Sequence, residues 1–282
     1  MSVTTTRLAP SPTGFLHLGH AASAWFAQDE ACGGRFLLRI EDIDQGRCRE
    51  EFVAGIFEDL TWLGLSWLPE VRRQSLHFAE YAGALERLSA IDLLYPCFCT
   101  RADIKEMGGA PQGPDGPIYP GRCRHLSDAE REERRESGQP FALRLKMDEA
   151  VRIAGPLTWE DLAAGVQTAR PALFGDVVLA RKDTPASYHL AVTWDDAVQG
   201  VTLVTRGADL FPASHLHRLL QALLGLPVPR WHHHPLILDG DGKRLAKRDG
   251  APSIRSLREK GMSAKEVLGQ IPRFARNDTL SF

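Results

Sequence analysis

The sequence predicts an α/β fold built on a parallel sheet. Three observations carry this reading. Short apolar segments of strand character alternate with helical periodicity over residues 4–88, the alternation stops between Cys97 and about Tyr188, and it resumes from Val201. Such an order fits one sheet assembled from two separated stretches, with a region of different character inserted between them.

Each element follows from its residues. Residues 4–9 read as a strand, 19–31 as a helix, RFLLRI at 35–40 as a second strand, and 49–63 as a second helix whose apolar positions keep helical spacing. A third helix is expected at 77–88. The insertion contains a Gly/Pro-rich segment, GGAPQGPDGPIYPG at 108–121, and a charged run, SDAEREERRESG at 127–138, which reads as a solvated helix face. Beyond it, VTLVT at 201–205 reads as a strand, 212–224 as a helix and WHHHPLIL at 231–238 as a strand, with short helices after Ala251. Successive strand residues face opposite sides, so at most two of His232, His233 and His234 can share a site, and solvated or core-satisfied histidines are expected there.

Composition bounds the function classes. With 282 residues, 43% apolar and 25% charged, the chain can bury a sizeable core and fits neither a disordered nor a fibrous class. A formal net charge of -2 means that any nucleic-acid partner must be held by a local basic surface. No apolar run approaches the roughly 18 residues of a membrane span, so no membrane partner and a cytoplasmic location are expected. The five cysteines, Cys32, Cys48, Cys97, Cys99 and Cys123, are odd in number. That argues for reduced thiols or a metal site rather than a disulfide framework.

Three stretches carry candidate chemistry. RLAPSPTGFLHLGH at 7–20 follows the first strand, where an open parallel sheet places its ligand crevice. Pro10 and Pro12 stiffen the turn, Gly14 and Gly19 permit close backbone approach, and His17 and His20 stand at a helix start that favours phosphate. Alone, the string reads equally as a tight turn with two surface histidines. LRIEDIDQGR at 38–47 ends the second strand in Glu41, Asp42 and Asp44, acids suited to a substrate ammonium or to capping the next helix. DGDGKRLAKRDG at 239–250 is a basic loop, suited to closing over a triphosphate or simply solvated.

Taken together with TRGADL at 205–210, these ordered motifs resemble the catalytic core of the class I glutamyl-tRNA synthetases over nearly the whole chain. The resemblance implies a Rossmann-type parallel sheet, an inserted α+β zinc-bearing subdomain and a short helical C-terminal part. It implies that glutamate is activated by ATP, with Mg2+, to glutamyl-adenylate and passed to RNA. His17 and His20 match the HIGH-type signature and, with Gly19, its ATP-binding part. Lys247 matches the second lysine of the KMSKS-type signature, whereas Arg244, Ala246 and Arg248 depart from it. Arg7, Ala9, Ser11, Glu41, Tyr188 and Arg206 match the positions that line the glutamate pocket. Guanidinium forks for a carboxylate and a carboxylate for an ammonium suit such a substrate. Arg206 has a second reading as a structural salt-bridge arginine.

Length separates two branches of this family. Only residues 248–282 follow the KMSKS-like loop, too few for an independent anticodon-binding domain. That resembles the truncated branch, which attaches glutamate to queuosine in the anticodon loop of tRNA(Asp). The expected organisation is 1–96 and 188–243 as the two halves of the core, 97–187 as the insertion and 244–282 as the loop and a helical stem-contact region, in a monomer. A short tRNA(Glu)-charging enzyme and a non-catalytic glutamate- or RNA-binding descendant are the alternatives. Cys97, Cys99 and Cys123 with one oxygen ligand suit a closed tetrahedral zinc site, or are buried thiols. By the resemblance the fourth ligand is Tyr119; by chemistry alone His125 rivals it. Cys32 and Cys48 are read as packing residues.

Overall fold

The computed structural model describes residues 3–106, 111–236 and 252–271. Strand β1 (Thr5–Leu8) runs into helix α1 (Leu18–Glu30), β2 (Arg35–Ile40), α2 (Glu50–Trp62) and the short β3 (Arg72–Arg73). The three strands form a parallel sheet in the order β1-β2-β3. Then come α3 (Phe78–Ala90), β4 (Leu94–Cys97), α4 (Arg101–Glu106), the hairpin β5 (Gln112–Gly113) and β6 (Gly116–Pro117), α5 (Asp128–Glu136), β7 (Ala142–Leu145), α6 (Met147–Ala154), the hairpin β8 (Thr158–Asp161) and β9 (Gly165–Thr168), and β10 (Val178–Ala180). The last described elements are α7 (Tyr188–Val198), β11 (Leu203–Gly207), α8 (Ala213–Leu224), β12 (Arg230–His234), α9 (Ile254–Glu259) and α10 (Ala264–Gly269).

The alternation read from the sequence is therefore present, and its two stretches meet. Thr202 N donates to Thr5 O at 3.0 Å, setting β11 beside β1, and β11 pairs in parallel with β12. The helix α7 had no counterpart in the sequence reading. A third sheet, β10-β7-β4, is antiparallel, whereas the β8–β9 hairpin joins β12 through Trp231 and Asp161. As expected of a solvated helix, α5 buries no residue.

Burial explains why α1 lies flat on the sheet. Its inward positions Ala21, Ala22, Ala24 and Ala27 are fully buried, and their small side chains let Thr6 Oγ1 reach Ala27 O at 2.6 Å. The turn from α1 to β2 needs Gly34, because a Cβ there would stand 2.2 Å from Thr4 O. Leu16, Leu38, Ile56 and Leu60 continue this core into Ile254 and Leu257 of α9 and Val267 of α10. A second core joins α3, α6, α7 and α8 through residues such as Tyr81, Ala150, Leu190 and Leu220. Among the described residues no helix is long and apolar enough to cross a membrane.

One core carboxylate is poorly matched. Asp59 of α2 is fully buried, neither oxygen makes a hydrogen bond, and Arg258 of α9 stands 4.0 Å away. Burial pushes its carboxyl up to about 6, against the pull of Arg258. The folded chain thus holds a proton that the unfolded chain releases near 3.8. The burial penalty of the ionised form is absent in acid below that value and grows as pH rises through about 6. Asp59→Asn is expected to remove this dependence, so that its melting temperature gains on the parent as pH rises from 4 to 7. A constant difference across that range would contradict the assignment.

Candidate active site

Strand ends and one helix start build a cleft of about 600 Å3. The nine described residues matched to the ATP and glutamate positions all line it: Arg7, Ala9, Ser11, His17, Gly19, His20, Glu41, Tyr188 and Arg206. Lys247 and the rest of the basic loop lie outside the described residues. The cleft's floor is stitched by Glu41 N to Pro10 O at 3.1 Å, which fixes the loop after β1 against the end of β2.

His17 and His20 start α1 and cap it reciprocally. His17 Nδ1 accepts from Gly19 N at 3.1 Å, and His20 Nδ1 accepts from His17 N at 3.2 Å. Backbone N–H groups only donate, so each neutral imidazole carries its proton on Nε2. The rings pack 3.9 Å apart between centroids. Gly19 serves this cap directly, because a Cβ would stand 2.9 Å from His17 Cε1. Across the helix start, Ile254 N donates to Leu16 O at 2.8 Å and Ser253 bridges to His17, which ties α9 to the motif.

The arginines differ in how their charges are matched. Arg7 Nε and Nη2 donate to Asp196 Oδ1 and Oδ2 at 2.8 and 3.3 Å, and Nη1 donates to Thr205 O at 3.0 Å. Asp196 also accepts from Arg39 Nη1 at 2.9 Å, and Arg39 lies 3.4 Å from Glu41. Burial pushes the Asp196 carboxyl up, but Arg7 and Arg39 outweigh it and hold it below its ordinary value. Glu41 goes the other way: burial raises it, against Arg39 and Arg7.

Arg206 is 6% exposed, and among the described residues it has no ion-pair partner. It is not the salt-bridge arginine of the second reading. Nη2 donates to Ser214 Oγ at 2.6 Å, Nε to His233 Nε2 at 3.2 Å and Nη1 to His217 Nδ1 at 3.3 Å. Burial pulls its pKa down from the ordinary guanidinium value. Buried cations normally find an anion, so this one leaves an attraction for a carboxylate from outside.

The acids after β2 divide. Glu41 lines the cleft, Asp42 accepts from Arg73 and from Ser75 N at 2.8 Å, and Asp44 accepts from Arg47 at 2.6 Å. Neither aspartate caps α2, whose N-cap is Arg49. The histidines of β12 divide as strand geometry requires. His232 pairs with Glu30 at 3.0 Å, His233 is buried against Asp161 and Arg206, and His234 lines the cleft. His233 is core-satisfied, as expected for one of the three histidines. His217 contacts Arg206 directly and Asp161 reaches it through His233, and neither was singled out in the sequence, because no local motif marks them.

The sulfurs of Cys97, Cys99 and Cys123 lie within 4.8 Å of one another. The Tyr119 hydroxyl is 3.4 Å from Cys99 Sγ and accepts from Cys123 N at 2.8 Å. Gly121, at φ +84°, turns the chain between Tyr119 and Cys123. Three sulfurs and one oxygen so gathered can hold a metal ion, whereas His125 does not belong to the cluster. Cys48 is half-buried, but Cys32 is exposed at φ 49° and is not a packing residue.

A parallel α/β sheet with its crevice beside a helix start defines a nucleotide-binding class of architecture. Residues 3–278 match the family model described as tRNA synthetases class I (E and Q), catalytic domain, and the chain belongs to this family of ligases. A relative from Rhodobacter capsulatus called glutamyl-Q tRNA(Asp) synthetase is 50% identical over 273 residues, covering 93% of this chain and 97% of the relative. A glutamate–tRNA ligase from Aquifex aeolicus is 40% identical over 264 residues, covering 93% of this chain but 55% of the ligase. The solved glutamate-tRNA synthetase of Elizabethkingia anophelis superposes with a TM-score of 0.74 at 30% identity, covering 88% of this chain and 53% of that one. The chain thus spans about half the length of these glutamate–tRNA ligases.

Proposed function

We propose that the chain activates L-glutamate with ATP and transfers it to queuosine in the anticodon loop of tRNA(Asp). The observation that carries the first half is Arg206, a buried cation on the cleft whose hydrogen-bond partners are all neutral. It would hold the side-chain carboxylate of glutamate, while Glu41, kept ionised by the incoming charge, would face the ammonium. Arg7, already matched by Asp196, would position rather than attract, beside Ala9, Ser11 and Tyr188. The second half is supported by the relative of that name, which is 50% identical over 273 residues.

In the first step a substrate carboxylate oxygen attacks the α-phosphorus, the bond to the β-phosphate oxygen breaks, and pyrophosphate leaves. The Nε2–H groups of His17 and His20 would donate to phosphate oxygens as charge develops, Gly19 leaving room for the phosphates beside them, and Lys247 would neutralise the leaving group. Magnesium, when it arrives with ATP, would supply charge shielding of the phosphates. In the second step a queuosine hydroxyl oxygen bonds to the carbonyl carbon of the mixed anhydride, the bond from that carbon to the phosphate oxygen breaks, and AMP leaves as its phosphate takes up the hydroxyl proton.

Cys97, Cys99, Tyr119 and Cys123 would hold one zinc ion, which fixes the fold locally as a closed site. The organisation 1–96, 97–187, 188–243 and 244–282, a cytoplasmic location and a monomeric state complete this reading. Purified protein is expected to carry one zinc per chain, and Cys97→Ser to lose it together with thermal stability. A fully folded, metal-free parent would refute this. The functional test is transfer of labelled glutamate to tRNA(Asp) with and without queuosine, beside tRNA(Glu). Label on the queuosine-containing tRNA(Asp) alone supports the proposal, and label on tRNA(Glu) alone would replace it with the short charging enzyme.

A further inference from the structure

Behind the neutral partners of Arg206 stand two carboxylates. A guanidinium only donates, so His217 Nδ1 accepts from Arg206 Nη1, and the neutral His217 ring carries its proton on Nε2. That atom lies 3.1 Å from His189 Nδ1, and His189 Nε2 lies 2.7 Å from Asp115 Oδ2. The carboxylate must accept, which places the His189 proton on Nε2 and leaves its Nδ1 to accept from His217. Only one set of protons satisfies every link, and every donor in it points from Arg206 toward Asp115. The other side repeats the pattern with one ring: Arg206 Nε donates to His233 Nε2, and His233 Nδ1 donates to Asp161 Oδ2 at 2.7 Å.

We infer that His217 and His189 form a positioning relay through which Asp115, on the turn between β5 and β6, orients Arg206 and counters its charge from a distance, leaving the guanidinium unneutralised for a carboxylate ligand. The inference rests on the glutamate-binding role proposed above. A carboxylate in direct contact would occupy the donors meant for the ligand, in the way that Asp196 occupies Nε and Nη2 of Arg7. A chain of neutral imidazoles fixes direction and polarises the guanidinium without occupying its ligand side. Burial and the neighbouring guanidinium push His217 well below its ordinary value, and push His233 down to about 4, so both rings stay neutral near pH 7. His217 is buried and does not line the cleft, so it acts through Arg206. Asp115 is exposed and belongs to the hairpin that packs in the insertion, so the relay links that region to the pocket.

The test is ATP–pyrophosphate exchange against glutamate concentration for the parent, His217→Leu, His217→Gln and Asp115→Ala, with nitrogen-15 imidazole spectra of the parent. His217→Leu removes the acceptor and is expected to raise KM for glutamate about tenfold, with kcat and KM for ATP changed less than about twofold. His217→Gln keeps a carbonyl acceptor and should recover all but about threefold of that loss. Asp115→Ala, at the exposed end and harmless to the core, should raise the glutamate KM about threefold. The spectra should show His189 and His217 protonated at Nε2. An Nδ1-protonated His217, or an unchanged glutamate KM in both His217→Leu and Asp115→Ala, would overturn the relay. Absence of glutamate-dependent exchange in the parent would sink the functional reading instead, and the spectra alone would then decide the relay.

Discussion

Arg206→Gln is expected to raise KM for glutamate at least about 100-fold in pyrophosphate exchange while leaving the melting temperature unchanged or higher. The two halves share one cause. Arg206 is a buried cation with no carboxylate in ion-pairing distance among the described residues, so its desolvation is only partly compensated until a ligand carboxylate arrives. Removing the charge forfeits the ligand and relieves the empty protein. Arg206→Lys keeps the charge but not the planar fork that meets Ser214, His233 and His217 together, and should fall between. Calorimetric melting beside exchange kinetics decides the matter: a large loss of stability in Arg206→Gln would mean that the residue holds the fold rather than the substrate.

Asp196→Ala should show the reverse balance. Its carboxylate is the main counter-charge of two buried guanidiniums, those of Arg7 and Arg39; its loss strands Arg7 and leaves Arg39 only the longer contacts to Glu41 and Asp195. Breaking such a pair costs about 3–5 kcal/mol, which for a chain of this size lowers the melting temperature by roughly 10 °C. The pH dependence follows from the depressed carboxyl: its stabilisation is present above the ordinary aspartate range and lost as pH falls through the folded value. The parent should therefore lose more stability on acidification than Asp196→Ala does. Parallel acid-unfolding curves would show that the network contributes nothing beyond packing.

The second prediction turns on α7, and α7 is where sequence reading was weakest. Its Asp195 and Asp196 point inward to arginines, so the helix shows charges where an amphipathic pattern would show apolar residues. Residues 19–31 and 49–63 were legible as helices because their apolar positions face a core, and the observed α1 and α2 differ from them by one residue at each end. The pairing of β12 with β8 joins Trp231 to Asp161, which no local pattern announces. In the cleft, residues that a resemblance can supply were legible. Residues that act through a third group, such as His217 and Asp161, were visible only once distant segments stood together.

The start of α1 carries one more consequence. His17 and His20 both cap the helix and present donors to the cleft, so the first turn cannot unwind without disturbing the groups proposed to meet phosphate. The Gly19 amide, bonded to His17 Nδ1, sits at that junction. Its rate of hydrogen exchange therefore gauges, in solution and without substrate turnover, the fraction of time for which the nucleotide end of the cleft is assembled.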